Sequence, residues 1–402
     1  MLDVIVVGAR CAGAATAMLL ARKGHRVLLV DRATFPSDIP HGHFIHRHGP
    51  RRLQQWGLLD RIVATNCPAV TSMTIDADDF PLTGRGLAVD GVALGYGPRR
   101  VALDRVLVEA AVEAGAELRD AFAVEEFIAE DGRVVGIRGR SRREGGSAAE
   151  RATVVVGADG RHSRLARAVG ARAYETTPPL TCWYWSYWSD VPPDGLEVYV
   201  RGRSVTLVFP TNHDLTAVFI AWDVAELPAV RADLERAFMA VVDRIPPLAA
   251  RVRGGRRVER FYGATDVPNF LRAPAGPGWA LVGDAGCHKD PYLALGICDA
   301  LRDAELLAEA LDEGLSGRRP LDAALADYEP RRNAASLDDY QQNLQMAQFR
   351  PMPTETRRLR AALRGHQEET NRFFLAYEGM TPRAAFFNPE NLARVVARGG
   401  AS

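Results

Sequence analysis

The residues best suited to chemistry fall in three separated glycine-and-acid segments. In VVGARCAG (6–13), Gly8 permits a tight strand-to-helix turn and Gly13 lets the helix pack closely on a sheet. The exposed helix amides can then hold a pyrophosphate. Asp31 lies 23 residues beyond Gly8 at the end of a second apolar run, where a carboxylate can accept the hydroxyls of a ribose. Arg10 stands where such a fingerprint has its second glycine and is expected to add a cation beside the pyrophosphate. The second segment is VVVGADGRHSRLARAVG (154–170), an apolar strand followed by Gly-Ala-Asp-Gly and a basic helix start. The third is WALVGDAGCHKDPYLALGICDALRDAELLAEAL (279–311). There Asp284 at a strand end can bind sugar-alcohol hydroxyls, and helix amides near Gly296 can face an anionic ring edge.

Three further features could carry chemistry. HGHFIHRH (41–48) holds four of the nine histidines but no cysteine or carboxylate, and its spacings suit no zinc cage. It reads as a solvated loop or a ligand contact, and no metal site is expected. CWYWSYW (182–188) is a strand whose alternation puts Trp183, Trp185 and Tyr187 on one face and Tyr184 and Trp188 on the other. It is either doubly buried or the wall of an apolar substrate site. Lysine occurs only at positions 23 and 289, so Lys289 reads either as a solvated loop residue or as one with a role beyond composition, near a bound cofactor or paired with Asp290.

The elements that must position these residues follow from periodicity. Residues 3–7 and 26–30 read as buried strands flanking a helix that ends near Lys23-Gly24. Helices fit 49–59 and 101–114, short strands fit 118–139 around an Asp131-Gly132 turn, and 153–157 is a buried strand. From about 175 to 270 the chain alternates like antiparallel strands, and 290–400 is largely helical. The expected fold is α/β, with a Rossmann-like domain assembled from three segments (1–70, 97–175 and 275–345). A mostly antiparallel β-sheet domain (71–96 and 176–274) is inserted into it, and a helical C-terminal region (346–402) follows.

Composition bounds the partners. The 402 residues are 47% hydrophobic and 25% charged, with zero formal net charge, so no nucleic acid or acidic membrane is expected as partner. No apolar run reaches the roughly 20 residues of a membrane span. Asp3 and the immediate strand argue against a signal peptide, and a cytoplasmic monomer or homodimer is expected. The five cysteines form no CxxC or CxxxxC pair, which argues against disulfide-reductase chemistry.

The three segments, in this order and spacing, resemble the FAD-dependent monooxygenase family of p-hydroxybenzoate hydroxylase, including its natural-product tailoring members, over roughly 1–350. Arg100 in RRVALDRVL matches the family's Arg-x-x-Leu at a helix start. The resemblance implies FAD held by Gly8, Arg10, Cys11, Ala12 and Gly13 at the first turn, with Asp31 and Arg32 at the ribose. It adds Arg100, Val124, Asp159 and Gly160, where Asp159 serves FAD and pyridine nucleotide alike. Gly283, Asp284, Pro291, Gly296 and Ile297 complete the implied set. The family's flavin-gating arginine is absent or shifted to Arg47, since His43 or Phe44 stands in its place.

By resemblance, NADPH or NADH reduces the flavin, and a flavin C4a-hydroperoxide formed with O₂ hydroxylates an aromatic, hydrophobic or polyketide-like small molecule. The catalytic residue stays open, with His43, His46, Tyr187, Tyr292 and Lys289 as candidates. Two alternatives remain, namely a reductase of the geranylgeranyl-reductase type and a non-redox cyclase that keeps FAD as a prop. Flavin-dependent halogenation is disfavoured, because Tyr187-Trp188 replaces the Ile-Pro of the halogenase WxWxIP motif and no lysine occurs between 24 and 288.

Overall fold

The computed structural model describes residues 1–143 and 145–399. Chain contacts divide it into two compact units, one comprising residues 1–42, 99–178 and 268–343 and the other residues 43–98, 179–267 and 344–402.

In the first unit, strand Leu2–Val7 pairs in parallel with Val27–Val30 on one side and with Ser147–Gly157 on the other. Glu117–Arg119 and Trp279–Leu281 extend the parallel sheet at its two edges. These strands are runs of Val, Ile and Leu because the sheet is buried, with Val4, Ile5, Val6, Leu28 and Leu29 all sealed from water. The long strand Ser147–Gly157 does double duty. Its second half joins the parallel sheet, and its first half pairs antiparallel with Arg133–Ser141, which forms a hairpin with Phe122–Glu130. The hairpin turns at Asp131 and Gly132, both at positive φ. Helix Cys11–Arg22 packs on this sheet, and helices Arg100–Glu113 and Gly296–Leu315 pack against that helix. The α/β plan and the FAD-binding arrangement of three segments are as expected.

In the second unit, strands Thr181–Ser189, Thr216–Asp223, Ser204–Pro210 and Leu196–Arg201 form an antiparallel sheet. It continues through a parallel pairing with Met73–Asp76 and then Pro81–Gly84. One face of this sheet carries Cys182, Trp188, Tyr199, Val218, Ile220 and Trp222. These pack against Phe238, Val241, Val242 and Leu248 of helices Leu234–Asp243 and Pro246–Gly254.

The unit boundaries differ from the segments read in the sequence. Residues 43–70 belong with the β-sheet unit, because Ile45–His46 and Ala69–Val70 both pair with Gly95–Tyr96. The C-terminal helices are not a separate region. Arg360 binds Asp79, and Phe374 packs so tightly on Gly84 that a Cβ there would lie 2.6 Å from its ring. Periodicity identifies such elements but not their non-local partners. Among the described residues, no helix is long and apolar enough to cross a membrane.

Candidate functional site

The first unit brings the three motif segments together through close backbone packing. Gly8, at φ +106°, ends the first strand, and a Cβ on it would lie 2.3 Å from the Ala158 carbonyl oxygen. A Cβ on Gly13 would lie 1.7 Å from the Gly8 oxygen and 3.0 Å from the Ala158 Cβ. Gly283, at φ +60°, backs onto Ala12 at 2.7 Å by the same measure. The first turn is therefore wedged between the second and third motifs, which requires small residues at each contact.

Asp31 orders this turn. Its Oδ2 accepts the Ala9 amide and its Oδ1 the Ala33 amide, each at 2.8 Å, so the carboxylate shapes the loop. Arg32 is exposed. Helix Cys11–Arg22 has no side-chain cap and no acid in its first turn, leaving its amides free for an anion.

Arg10 does not stand as an unpaired cation. Its Nη1 lies 2.6 Å from Asp104 Oδ2, and its Nη2 donates to Ser37 Oγ at 3.0 Å. Arg100 donates Nε and Nη2 to Asp104 Oδ1 at 3.2 and 3.0 Å, and the Cys11 thiol approaches the same oxygen at 3.4 Å. Asp104 is 0% exposed, so one buried carboxylate ties the fingerprint turn to the start of helix Arg100–Glu113. Burial pushes the Cys11 thiol up to about 12, which keeps it protonated. The expected extra charge at the pyrophosphate is thus only partly offset, because Arg10 and Arg100 share one counter-ion.

At the second motif, Asp159 Oδ2 accepts the Arg164 amide at 2.6 Å, while its Oδ1 is buried without a hydrogen-bond partner. Arg164 also donates to the carbonyls of Val124 and Glu125, linking this turn to the hairpin. An added Cβ on Gly160 or Gly296 would meet nothing within 4 Å, and Asp284 is exposed. An orphaned carboxylate oxygen, open backbone at two glycines and an uncapped helix start together fit FAD. His41 lies in the same unit, and its pKa falls to about 4 through burial and then the Arg100 charge, with Asp284 opposing.

Two arginines and two asparagines that the sequence did not single out fix the second and third motifs. Arg272 donates to the carbonyls of Ala285 (2.9 Å) and Arg161 (3.3 Å), and its guanidinium lies 4.0 Å from the Phe270 ring centroid. Arg332 donates to the carbonyls of Arg272 and Gly286 at 3.1 and 3.2 Å. Asn343 bridges the Asp290 carbonyl and the Leu293 amide, and Asn269 accepts the Asp290 amide at 2.7 Å. The turn Pro291–Leu293 precedes Ala294, which is left-handed, and the long helix begins at Gly296 with Ile297 buried behind it. Tyr292 is buried, and its amide donates to Asp290 Oδ1 at 3.1 Å.

Lys289 is neither solvated nor paired with Asp290. It is 8% exposed, and its Nζ lies 2.6 Å from Asp299 Oδ2 in the first turn of that helix. Arg302 joins Asp299 to Asp303 at 2.8 and 2.7 Å, giving two cations and two carboxylates in one buried cluster. Burial is the largest influence and would lower the lysine, but the Asp299 charge and the smaller influences of its neighbours together raise its pKa.

In the second unit, two of the five catalytic candidates meet. His43 Nδ1 is 3.1 Å from the Gly97 carbonyl oxygen, and Nε2 is 3.0 Å from Tyr187 Oη. A carbonyl only accepts, so Nδ1 carries the proton, and in the neutral ring Nε2 accepts the Tyr187 hydroxyl. The couple is 1% and 2% exposed and stands against Phe209 and Phe219, whose rings lie 5.2 and 6.0 Å from His43. His46 Nδ1 instead lies 2.6 Å from Glu378 Oε2, with both side chains buried. Burial would raise the Glu378 carboxyl, but the His46 charge, helped by Arg47, outweighs it and holds it below its usual range. Arg47 itself begins helix His48–Gln55 at φ 51°. Among the described residues, no group of three or more His, Cys, Asp or Glu is placed to hold a metal ion.

Known proteins bear on this arrangement. Digeranylgeranylglycerophospholipid reductase 2 of Methanopyrus kandleri is 29% identical over 335 residues, covering 77% of this chain and 78% of that protein. The myxobacterial chondrochloren halogenase CndH superposes with a TM-score of 0.78 at 21% identity, covering 99% of this chain and 96% of its own. PqsL of Pseudomonas aeruginosa, in complex with 2-aminobenzoylacetate, gives 0.71 at 22% identity, covering 93% and 99%. These two structures share the fold. The family model described as the FAD binding domain matches residues 1–341, so the chain belongs to that family and is an FAD-dependent oxidoreductase.

Proposed function

We propose that the protein is an NAD(P)H-using monooxygenase that hydroxylates an aromatic or polyketide-like small molecule. The observation that carries this reading is the buried His43–Tyr187 couple on an aromatic sheet face. The balanced reaction consumes substrate, O₂, NAD(P)H and a proton, and yields hydroxylated product, water and NAD(P)⁺. Bound FAD would supply the two-electron chemistry that links pyridine nucleotide to oxygen. The residues of the first unit described above would hold it, with Asp159 Oδ1 and the amides of helix Cys11–Arg22 as its polar partners.

The chain's own contribution would be proton handling. An electron-rich phenolate accepts an electrophilic oxygen far better than the neutral phenol. Tyr187 Oη can accept a substrate hydroxyl proton while passing its own to His43 Nε2, and Gly97 fixes the tautomer in which Nε2 is the acceptor. Tyr187→Phe is therefore expected to lower kcat by about 10²–10³ on a phenol, in line with general-base catalysis. A parent-like rate and pH profile would remove Tyr187 from this role.

NADPH oxidation measured with and without O₂, across a panel of phenols, tests the reading as a whole. Substrate-stimulated oxygen uptake with product heavier by one oxygen atom supports it. A second reading, reduction of an isoprenoid double bond, is favoured by the curated reductase relatives at 26–29% identity. It predicts oxygen-independent turnover and product heavier by two hydrogens. The halogenase likeness is one of fold, and this chain has no lysine between 24 and 288 to carry a hypohalous acid.

A further inference from the structure

Trp185 lies on the same sheet face as Tyr187. In the ladder, Trp185 stands opposite Phe219, and Phe219 opposite Leu207, while the next row is Tyr187, Ala217 and Phe209. The indole stacks flat on Phe219, with centroids 5.0 Å apart and planes at 9°. Trp185 is 2% exposed, and its Nε1 has no hydrogen-bond partner. An indole N–H can only donate, and native structures rarely leave a buried donor unmet. The Phe219 and Tyr262 rings pack against the indole.

Tyr262 is the half-buried ring beside Trp185. It sits on the short strand Tyr262–Ala264 paired with Trp185, and lies 6.0 Å from the Trp185 ring and 6.5 Å from the Tyr187 ring. Its hydroxyl donates to Glu259 Oε2 (2.9 Å), and the Arg260 guanidinium lies over its ring (5.3 Å).

Resting on the monooxygenase reading, we propose that the Trp185 indole N–H is a specificity-determining donor for a carbonyl or similar acceptor oxygen on the substrate, with Tyr187 receiving its phenol. Two residues along one strand face span about 7 Å. A benzene ring with a hydroxyl and a carbonyl group in para positions bridges that span. The substrate class is therefore a 4-hydroxyphenyl ketone or a larger phenolic carbonyl compound of the same oxygen spacing.

Titration calorimetry of the FAD-loaded protein with 4-hydroxyacetophenone and 4-ethylphenol tests this, because the two probes differ chiefly in the carbonyl oxygen. The parent should bind the ketone about ten-fold more tightly, the worth of one neutral hydrogen bond. Trp185→Phe should abolish that preference, the two probes then binding alike, and Trp185→His, which restores a ring donor, should recover part of it. A preference that survives in Trp185→Phe means the N–H is met by water, and the proposal falls. It also falls, without need of any variant, if the parent shows no ketone preference or binds neither probe. If the preference behaves as expected but neither probe stimulates oxygen-dependent NADPH oxidation, the donor assignment stands and the monooxygenase reading fails.

Discussion

Removing the Asp104 carboxylate should unfasten the FAD-binding unit at its first turn. Asp104 is fully buried and holds Arg10 at 2.6 Å, Arg100 through two nitrogens at 3.0 and 3.2 Å, and the Cys11 thiol at 3.4 Å. Asp104→Ala leaves two guanidinium groups facing each other without a counter-ion. Breaking a buried pair in this way costs about 3–5 kcal/mol. The lower end applies, because the Arg10 side chain is 23% exposed and can turn its charge toward water. At a urea dependence of about 2 kcal/mol per molar, a loss of about 3 kcal/mol moves the unfolding midpoint down by roughly 1.5 M. The apoprotein is the right sample, since bound cofactor would add its own stabilisation. Arg100→Ala should cost less, about 2 kcal/mol, and Arg10→Ala about 1 kcal/mol, because each leaves the carboxylate with one arginine partner. Far-UV circular dichroism in urea reads all three. If Asp104→Ala unfolds at the parent midpoint, or Arg10→Ala proves the most damaging, the shared-carboxylate account is refuted.

Three other outcomes follow from the same geometry. Asp31→Ala should weaken FAD binding by about 1–3 kcal/mol by fluorescence titration, through loss of the ribose acceptor and of the Ala9 and Ala33 amide bonds; an unchanged Kd would remove Asp31 from the site. Lys289→Met should lower the apoprotein melting temperature and Lys289→Arg should not restore it, since a forked guanidinium cannot replace a compact ammonium 2.6 Å from Asp299; a parent-like melting temperature would deny the buried pair any weight. His41 sits near 4 when folded against about 6.5 when unfolded, so the neutral ring's contribution is full above pH 6.5 and is lost as pH falls toward 4. His41→Phe should flatten that part of the stability curve, and an unaltered curve would place the titration elsewhere.

What the sequence disclosed was local, and what it hid was the pairing of distant residues. Gly8 and Gly13 are legible because their demand is for absent side-chain volume at a turn, and the structure shows backbone 2.3 and 1.7 Å from where a Cβ would stand. The two faces of CWYWSYW are legible because a strand's alternation assigns them without knowledge of any partner, and Trp188 does pack under the helices while Trp185 and Tyr187 share the other face. Asp104 left a weaker mark, as an acid inside the apolar stripe of helix Arg100–Glu113, where a charge is tolerated only if paired. Its partner Arg10 is 94 residues away, and no periodicity connects them. The same holds for His46 and Glu378, which are 332 residues apart and both belong to the β-sheet unit. Lys289 marks the limit most clearly. Its rarity pointed to a role, yet neighbouring Asp290 was only its partner in sequence. The turn at Pro291–Leu293 and left-handed Ala294 set where the helix begins, and that start delivers Asp299 to the ammonium. A residue's type can therefore announce that it must be paired, but the backbone conformation between the two residues chooses the partner.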